Sequence, residues 1–235
     1  MAERGPPSEP MAIALFDSHA YVSSRSRTPR HEPLRLRHSL AEITGPLLGD
    51  GRVGATDHDL TRQHAGQPLG ERIIVHGRVL DVDGRAVAGS LIEIWQANAA
   101  GRYLHANDQH AAPLDANFSG AGRCLTDAEG RFEFVTIKPG AYPWRNHTNA
   151  WRPAHIHFSL FGWAFAQRLV TQMYFPGDPL FFQDPIFNAV SDEKARQRMI
   201  ARFDLERTVA EWALAFSYDI VLRGRDATPT ERGPR

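Results

Sequence analysis

Arg72-Ile-Ile-Val-His-Gly-Arg-Val-Leu-Asp-Val82, followed at once by Asp83-Gly84, is the stretch whose reading decides the fold. Its β-branched residues suit an extended, half-buried backbone, and Asp-Gly supplies the positive-φ step of a tight turn. Working outward, Leu91-Ile-Glu-Ile-Trp95 reads as a second strand and Asp127-Ala-Glu-Gly130 as a second turn. Behind that turn Phe132, Phe134 and Thr136 alternate with Glu133, Val135 and Ile137, the period of two that a strand requires. Further strands are expected at His155–Phe161, Arg168–Phe175 and Phe216–Leu222. A helix is expected over Ser191 to Phe203, with Ser191 as N-cap and Glu193 and Lys194 in its first turn.

Short strands at this spacing, with Gly and Pro turns and one or two short helices, predict an all-β chain built as a β-sandwich of immunoglobulin or prealbumin type. Upstream, residues 1–70 are rich in Pro, Arg, Gly and Ser, yet Ile13, Leu15, Phe16, Leu34, Leu36, Leu40, Ile43, Leu47 and Leu48 recur among them. That pattern predicts an N-terminal arm lying over another surface, that of a partner subunit. Residues 71–224 are then expected to form the sandwich domain, which would carry any active site, and 225–235 a C-terminal tail.

The chain has 235 residues, enough to bury a core without a structural metal or disulfides. Lys plus Arg and Asp plus Glu are 27 each, so the formal net charge is zero. That argues against a general electrostatic grip on nucleic acid or anionic membrane. The single cysteine, Cys124, can form neither an internal disulfide nor a thiolate cluster. Met11 to Phe16 is too short for a secretory or membrane segment, so a cytoplasmic, soluble protein is expected.

The sharpest chemical signal is Trp151-Arg-Pro-Ala-His-Ile-His157. Side chains two apart on a strand share a face, with Cα atoms about 6.6 Å apart, so two imidazoles there can bind adjacent positions of one metal. Phe158, Ser159 and Leu160 follow, and no carboxylate comes before Asp178, so no acidic ligand stands ready nearby. Tyrosine is the remaining candidate. Of five tyrosines, Tyr174 and Tyr218 sit inside strand patterns, whereas Tyr103 and Tyr142 fall in loops at strand ends. A phenol with a pKa of about 10 becomes a ligand only beside a strongly acidic cation such as Fe³⁺. Two tyrosinates would leave such a site with a net charge of +1. On these residues alone, a metal site and a set of hydrogen-bonded turn tyrosines both remain open.

Gly84-Arg-Ala-Val-Ala-Gly-Ser-Leu-Ile-Glu-Ile-Trp-Gln-Ala-Asn-Ala99, Gly101-Arg-Tyr103, Asp127-Ala-Glu-Gly-Arg-Phe132, Thr136-Ile-Lys-Pro-Gly-Ala-Tyr-Pro-Trp144 and the Trp151–His157 run together resemble the intradiol ring-cleavage dioxygenases. Asp57-His-Asp-Leu60, Gly70-Glu-Arg-Ile-Ile-Val75 and Phe175-Pro-Gly-Asp-Pro-Leu180 resemble the protocatechuate-cleaving branch, and the similarity runs from about residue 20 to 224. The resemblance implies one non-haem Fe³⁺ per chain, held by Tyr103 and His155 in equatorial positions and by Tyr142 and His157 in axial ones. Tyr142 is then the ligand that substrate displaces, and Arg152 lies over the bound ring and stabilises its developing charge. Trp144, Gln172, Ile186 and Tyr21 match residues near the substrate. A catechol would bind as a chelating dianion and be opened by O₂, both oxygen atoms entering the product. For protocatechuate that product is 3-carboxy-cis,cis-muconate, in aromatic catabolism by the β-ketoadipate route. The resemblance also implies a hetero-oligomer in which this iron-bearing chain pairs with an α chain, and weak activity for the chain alone. Neighbouring substrates in the family are catechol, hydroxyquinol and sulfonated catechols. A different class, the non-catalytic prealbumin-like binding modules, shares the Gly-rich strand pattern but lacks the Trp-Arg-Pro-Ala-His-Ile-His run. His105, His110 and His147 match no ligand position, and Asp57-His-Asp59 reads as a structural turn.

Overall fold

The structure is a computed structural model, and it describes residues 53–144, 150–161 and 168–230. Most of the expected arm, Tyr21 included, and His147 lie outside the described residues. Eleven strands run in the order β1 (Arg72–Leu80), β2 (Leu91–Trp95), β3 (Ala121–Leu125), β4 (Arg131–Ile137), β5 (Tyr142–Trp144), β6 (Ala150–Arg152), β7 (His155–Phe161), β8 (Arg168–Tyr174), β9 (Arg202–Val209), β10 (Ala213–Ser217) and β11 (Ile220–Val221). Two short helices, α1 (Pro185–Asn188) and α2 (Glu193–Gln197), lie between β8 and β9.

β1 is the spine of one sheet. It pairs antiparallel with β4 on one side and parallel with β10 and then β11 on the other, and β9 lies outside β10. The second sheet runs β3-β2-β7-β8, and β5 and β6 form a separate hairpin. Alternation decides what faces inward. Ile73, Val75, Val79, Phe132, Phe134 and Phe216 from the first sheet meet Ile92, Ile94, Ile156, Phe158, Leu160 and Met173 from the second in one buried cluster. Phe158 sits at its centre, 5.8 Å from Phe134, 6.0 Å from Phe132 and 5.3 Å from Tyr218, ring centre to ring centre. The expected sandwich is therefore present, its layers joined by aromatic packing.

Leu60 is fully buried in this core, and Leu60 and Val135 join segment 57–60 to β4 through backbone hydrogen bonds. Asp57-His58-Asp59 is a turn: the Asp59 carboxylate accepts from the amide and hydroxyl of Thr61, and Asp57 from the amide of Gly54. At the other end, residues 227–230 pack back on the domain through Thr228 against Val221 and Thr230 against Val170.

The helix expected from Ser191 to Phe203 is shorter. Asp192, not Ser191, is its N-cap, accepting from Lys194 and Ala195, and the helix ends at Gln197. Met199 and Ala201 bond instead to the backbone of Tyr174, so long-range pairing with β8 wins over local helical preference, and Phe203 lies in β9. The expected strand Phe216–Leu222 is divided between β10 and β11.

Candidate active site

The site lies on the outer face of the β3-β2-β7-β8 sheet. On β7, His155 and His157 point away from the core that Ile156, Phe158 and Leu160 fill. Register sets their neighbours: Trp95 of β2 and Gln172 of β8 flank His157, and Tyr174 flanks His155. Trp95 stacks on His157 with ring centres 4.7 Å apart and planes within 6°, which fixes that imidazole's plane.

The two loop tyrosines come from segments pressed backbone to backbone. A Cβ on Gly101, whose φ is +78°, would lie 2.3 Å from the Ala141 carbonyl oxygen. One on Gly140 would lie 2.4 Å from that of Ala99. Glycine at both positions lets the Tyr103 loop touch the Tyr142 strand. Asn98 organises the first loop, its amide oxygen accepting from Ala100 and Arg102 and its amide nitrogen donating to Pro113. The Asp108 carboxylate then accepts from the Tyr103 amide at 2.8 Å.

The outcome is a ring of four side chains. Tyr103 Oη and His157 Nε2 lie 3.2 Å apart, and Tyr142 Oη and His155 Nε2 3.4 Å apart. The tyrosine rings meet edge to face at 5.5 Å and the imidazoles at 4.8 Å. His155 Nδ1 donates to the Pro153 carbonyl at 2.7 Å, which leaves the Nε2 lone pair turned toward Tyr142. Burial holds the His155 pKa well below its ordinary value, helped by the charge of Arg152. Burial also pushes the Tyr142 phenol up, against the pull of Arg152 and a hydrogen bond with Tyr103. Among the described residues no group of three or more His, Cys, Asp or Glu could hold a metal, so a metal in this ring would need the tyrosines.

Arg152, on β6, is 2% exposed and lies behind the ring. Its Nη1 is 3.5 Å from Tyr142 Oη, and its guanidinium carbon stands 5.4 Å from the centre of the half-buried Trp144 ring. Its Nε donates to Asp184 at 3.1 Å and its Nη2 to Tyr174 Oη at 3.2 Å and to the amide oxygen of Gln172. Burial disfavours the guanidinium charge, but Asp184 and the phenols outweigh it and hold Arg152 firmly protonated. The Gln172 amide nitrogen is buried with no hydrogen-bond partner among the described residues. Ile186, half-buried, is the second residue of α1, and its amide donates to Asp184.

Of the residues singled out by sequence, Tyr103, Tyr142, Arg152, His155, His157, Trp144 and Gln172 are therefore brought together, while Ile186 connects through Asp184. Sequence reasoning missed two. Tyr174, whose strand pattern predicts a sheet residue, carries its hydroxyl into the Arg152 network; the available signal is the Gln172-x-Tyr174 pair, which mirrors His155-x-His157 at period two. Asp184 was missed altogether. Asp184-Pro185 signals a helix start, but nothing local shows that its carboxylate is fully buried against an arginine 32 residues away.

A family model described as dioxygenase matches residues 43–224. A protocatechuate 3,4-dioxygenase beta chain from Burkholderia cepacia is 60% identical over 214 residues, covering 90% of this chain and 91% of that protein. A protocatechuate 3,4-dioxygenase alpha chain from Pseudomonas putida is 30% identical over 161 residues, covering 68% of this chain and 75% of that one. Among solved structures, a 3-chlorocatechol 1,2-dioxygenase from Rhodococcus opacus 1CP superposes with a TM-score of 0.55 at 25% identity, over 76% of this chain and 70% of that one.

Proposed function

The chain belongs to the intradiol ring-cleavage dioxygenases, enzymes that depend on non-haem iron, and from that premise we propose that it is the iron-bearing β chain of a protocatechuate 3,4-dioxygenase. It cleaves protocatechuate with O₂ to 3-carboxy-cis,cis-muconate and works with an α-type chain, of the kind whose Pseudomonas putida example is similar to it. Among the described residues no helix is long and apolar enough to cross a membrane. Action in the cytoplasm, on a step of aromatic catabolism, completes the reading.

One observation carries it: two phenol oxygens and two imidazole nitrogens face one another in pairs at 3.2 and 3.4 Å. Donors each about 2 Å from a common centre, at roughly right angles, lie about 3 Å apart, so this set fits a single ion. Tyr103, Tyr142, His155 and His157 would hold one Fe³⁺, the oxidation state that anionic, hard oxygen donors favour. When bound, the iron supplies a Lewis acid that binds the catechol as its dianion and lets the electron-rich ring react with O₂.

The chain's own residues do the rest. Tyr142 Oη, next to Arg152 and His155, would as a metal-held tyrosinate be placed to take a proton from an arriving catechol hydroxyl. Arg152 presents a charge that cannot be lost at working pH, so it stabilises negative charge that grows on the ring as bonds reorganise. Trp144 walls the side of the guanidinium, and the unpartnered Gln172 amide offers a donor to substrate oxygen. Burial of Arg152, His155 and Gln172 keeps water from weakening these interactions.

The test is aerobic incubation of the iron-loaded chain, produced together with its α-type partner, with protocatechuate. The reading predicts O₂ uptake equimolar with loss of the aromatic absorbance, and 3-carboxy-cis,cis-muconate by mass. Uptake with catechol but not with protocatechuate would move the chain to a neighbouring branch, and no uptake with either would reject the activity.

A further inference from the structure

Asp184 is the only carboxylate among the described residues that meets Arg152, and it is fully buried. A buried ion pair is weak as a device for stability alone, because the cost of desolvating both charges rivals their attraction. Its geometry suggests another use. One carboxylate oxygen caps α1 by accepting from the Ile186 amide at 2.9 Å. The other accepts from Arg152 Nε at 3.1 Å and lies 3.0 Å from Tyr174 Oη. Tyr174 Oη in turn accepts from Arg152 Nη2 and lies 2.8 Å from the Gln172 amide oxygen.

With Nε and Nη2 both engaged, no rotation of the planar guanidinium is possible without losing a bond, and Nη1 is left aimed at Tyr142 Oη. The same network orients Gln172. Arg152 Nη2 can only donate toward it, so its amide oxygen must face the guanidinium and its nitrogen must face away. The single Tyr174 hydroxyl proton lies within reach of both the Gln172 oxygen and the Asp184 carboxylate. Through its cap, Asp184 also ties both residues to the helix that carries Ile186.

We propose that Asp184 is a positioning residue for ring cleavage: through Arg152 and Tyr174 it fixes the guanidinium toward Tyr142, turns the Gln172 amide, and links both to α1. This rests on the functional reading above. Asparagine cannot replace it, because the cap to Ile186 and the bond from Arg152 fall on different carboxylate oxygens, only one of which an amide keeps as an acceptor. With the cap kept, its amide nitrogen would set donor against donor at Nε.

The experiment compares the iron-loaded protein with its α-type partner as wild type, Asp184→Asn and Tyr174→Phe, reading kcat, KM, iron content, the resting visible spectrum and the crystal structure. For Asp184→Asn, kcat is expected to fall on the order of 10²-fold, the scale of a misplacement of about 1 Å in a catalytic group. Tyr174→Phe, which keeps the ion pair, is expected to lose several-fold. In both, KM moves less than kcat, and iron content and the resting spectrum stay as in the wild type. A folded Asp184→Asn protein with wild-type kcat, or a loss that tracks lost iron, overturns the proposal. If Asp184→Asn does not fold, Asp184→Ser, which keeps a helix-capping oxygen but removes the carboxylate from Arg152, decides on the same criteria. Wild-type protein without iron or turnover would sink the functional reading instead, and the metal-free Asp184→Asn crystal structure would then decide. A guanidinium that has left Tyr142 supports the proposal, and one still in place overturns it.

Discussion

The two faces of β7, one wholly buried and the other buried at His155 but only half-buried at His157, are built on opposite rules. Ile156, Phe158 and Leu160 look into the sandwich, each 3% exposed or less, among side chains that could trade places with others of similar volume. His155 and His157, interleaved with them, look the other way, and each faces one tyrosine oxygen within 3.4 Å. The first face is held by many small, non-directional contacts, the second by few directional ones. Stability therefore resides on one face and chemistry on the other, and single substitutions should separate them.

The largest separation is expected at the ring of donors. Tyr103→Phe or His155→Ala should cut iron affinity and turnover by more than the roughly 10–100-fold typical of losing an outer partner of a metal ligand. The melting temperature of the metal-free protein should change little, and metal analysis beside calorimetry checks both halves. Phe158→Ala, one residue from His157, should do the reverse. It should cost about 3–5 kcal/mol of stability, a fall of roughly 6–20 °C in Tm for a domain of this size. The iron bound per folded molecule should hold steady. If Phe158→Ala strips iron at temperatures where the protein is folded, the two faces are not independent.

A smaller effect probes the core face from within. Cys124 is buried on β3 in the same cluster, and burial pushes its thiol up to about 12. A disulfide reagent at pH 8 should find it inert in the native protein and reactive at the rate of core opening in Phe158→Ala. Prompt reaction in the wild type would contradict the packing described.

The smallest expected effect concerns a histidine on the other sheet. His76 of β1 has its pKa lowered by burial and by Arg207, against the pull of the Asp204 carboxylate 3.0 Å away. The unfolded chain then binds the proton more readily, so the stability that neutral His76 contributes is complete above about pH 6.5 and is lost as pH falls through the folded value. The gap in Tm between wild type and His76→Gln should narrow from pH 8 to pH 5; a gap that widens would reverse the assigned direction.

The core face was readable from the chain because it is periodic. Arg72–Leu80, Leu91–Trp95 and His155–Phe161 alternate or run apolar, and each forms a strand where the pattern places it. β3 was not readable: Ala-Gly-Arg-Cys-Leu has weak strand preference and is held by pairing with β2. Arg202–Val209 was hidden for the opposite reason, continuing a local helical pattern that backbone pairing with Tyr174 breaks. At the site, His-x-His is a local spacing and declares itself. The meeting of Tyr103 with Tyr142 depends on two glycines that let loops touch, and the Arg152–Asp184 pair on how the chain closes over 32 residues. Such contacts leave residue types in the sequence without their partners.

The most direct test of the whole account is the visible absorption spectrum of the purified protein, first alone and then with protocatechuate in the absence of O₂. Tyrosinates on Fe³⁺ predict a coloured protein with a charge-transfer band that moves to longer wavelength as the catechol binds. A colourless protein holding stoichiometric iron or zinc would remove Tyr103 and Tyr142 from the metal and contradict the mechanism.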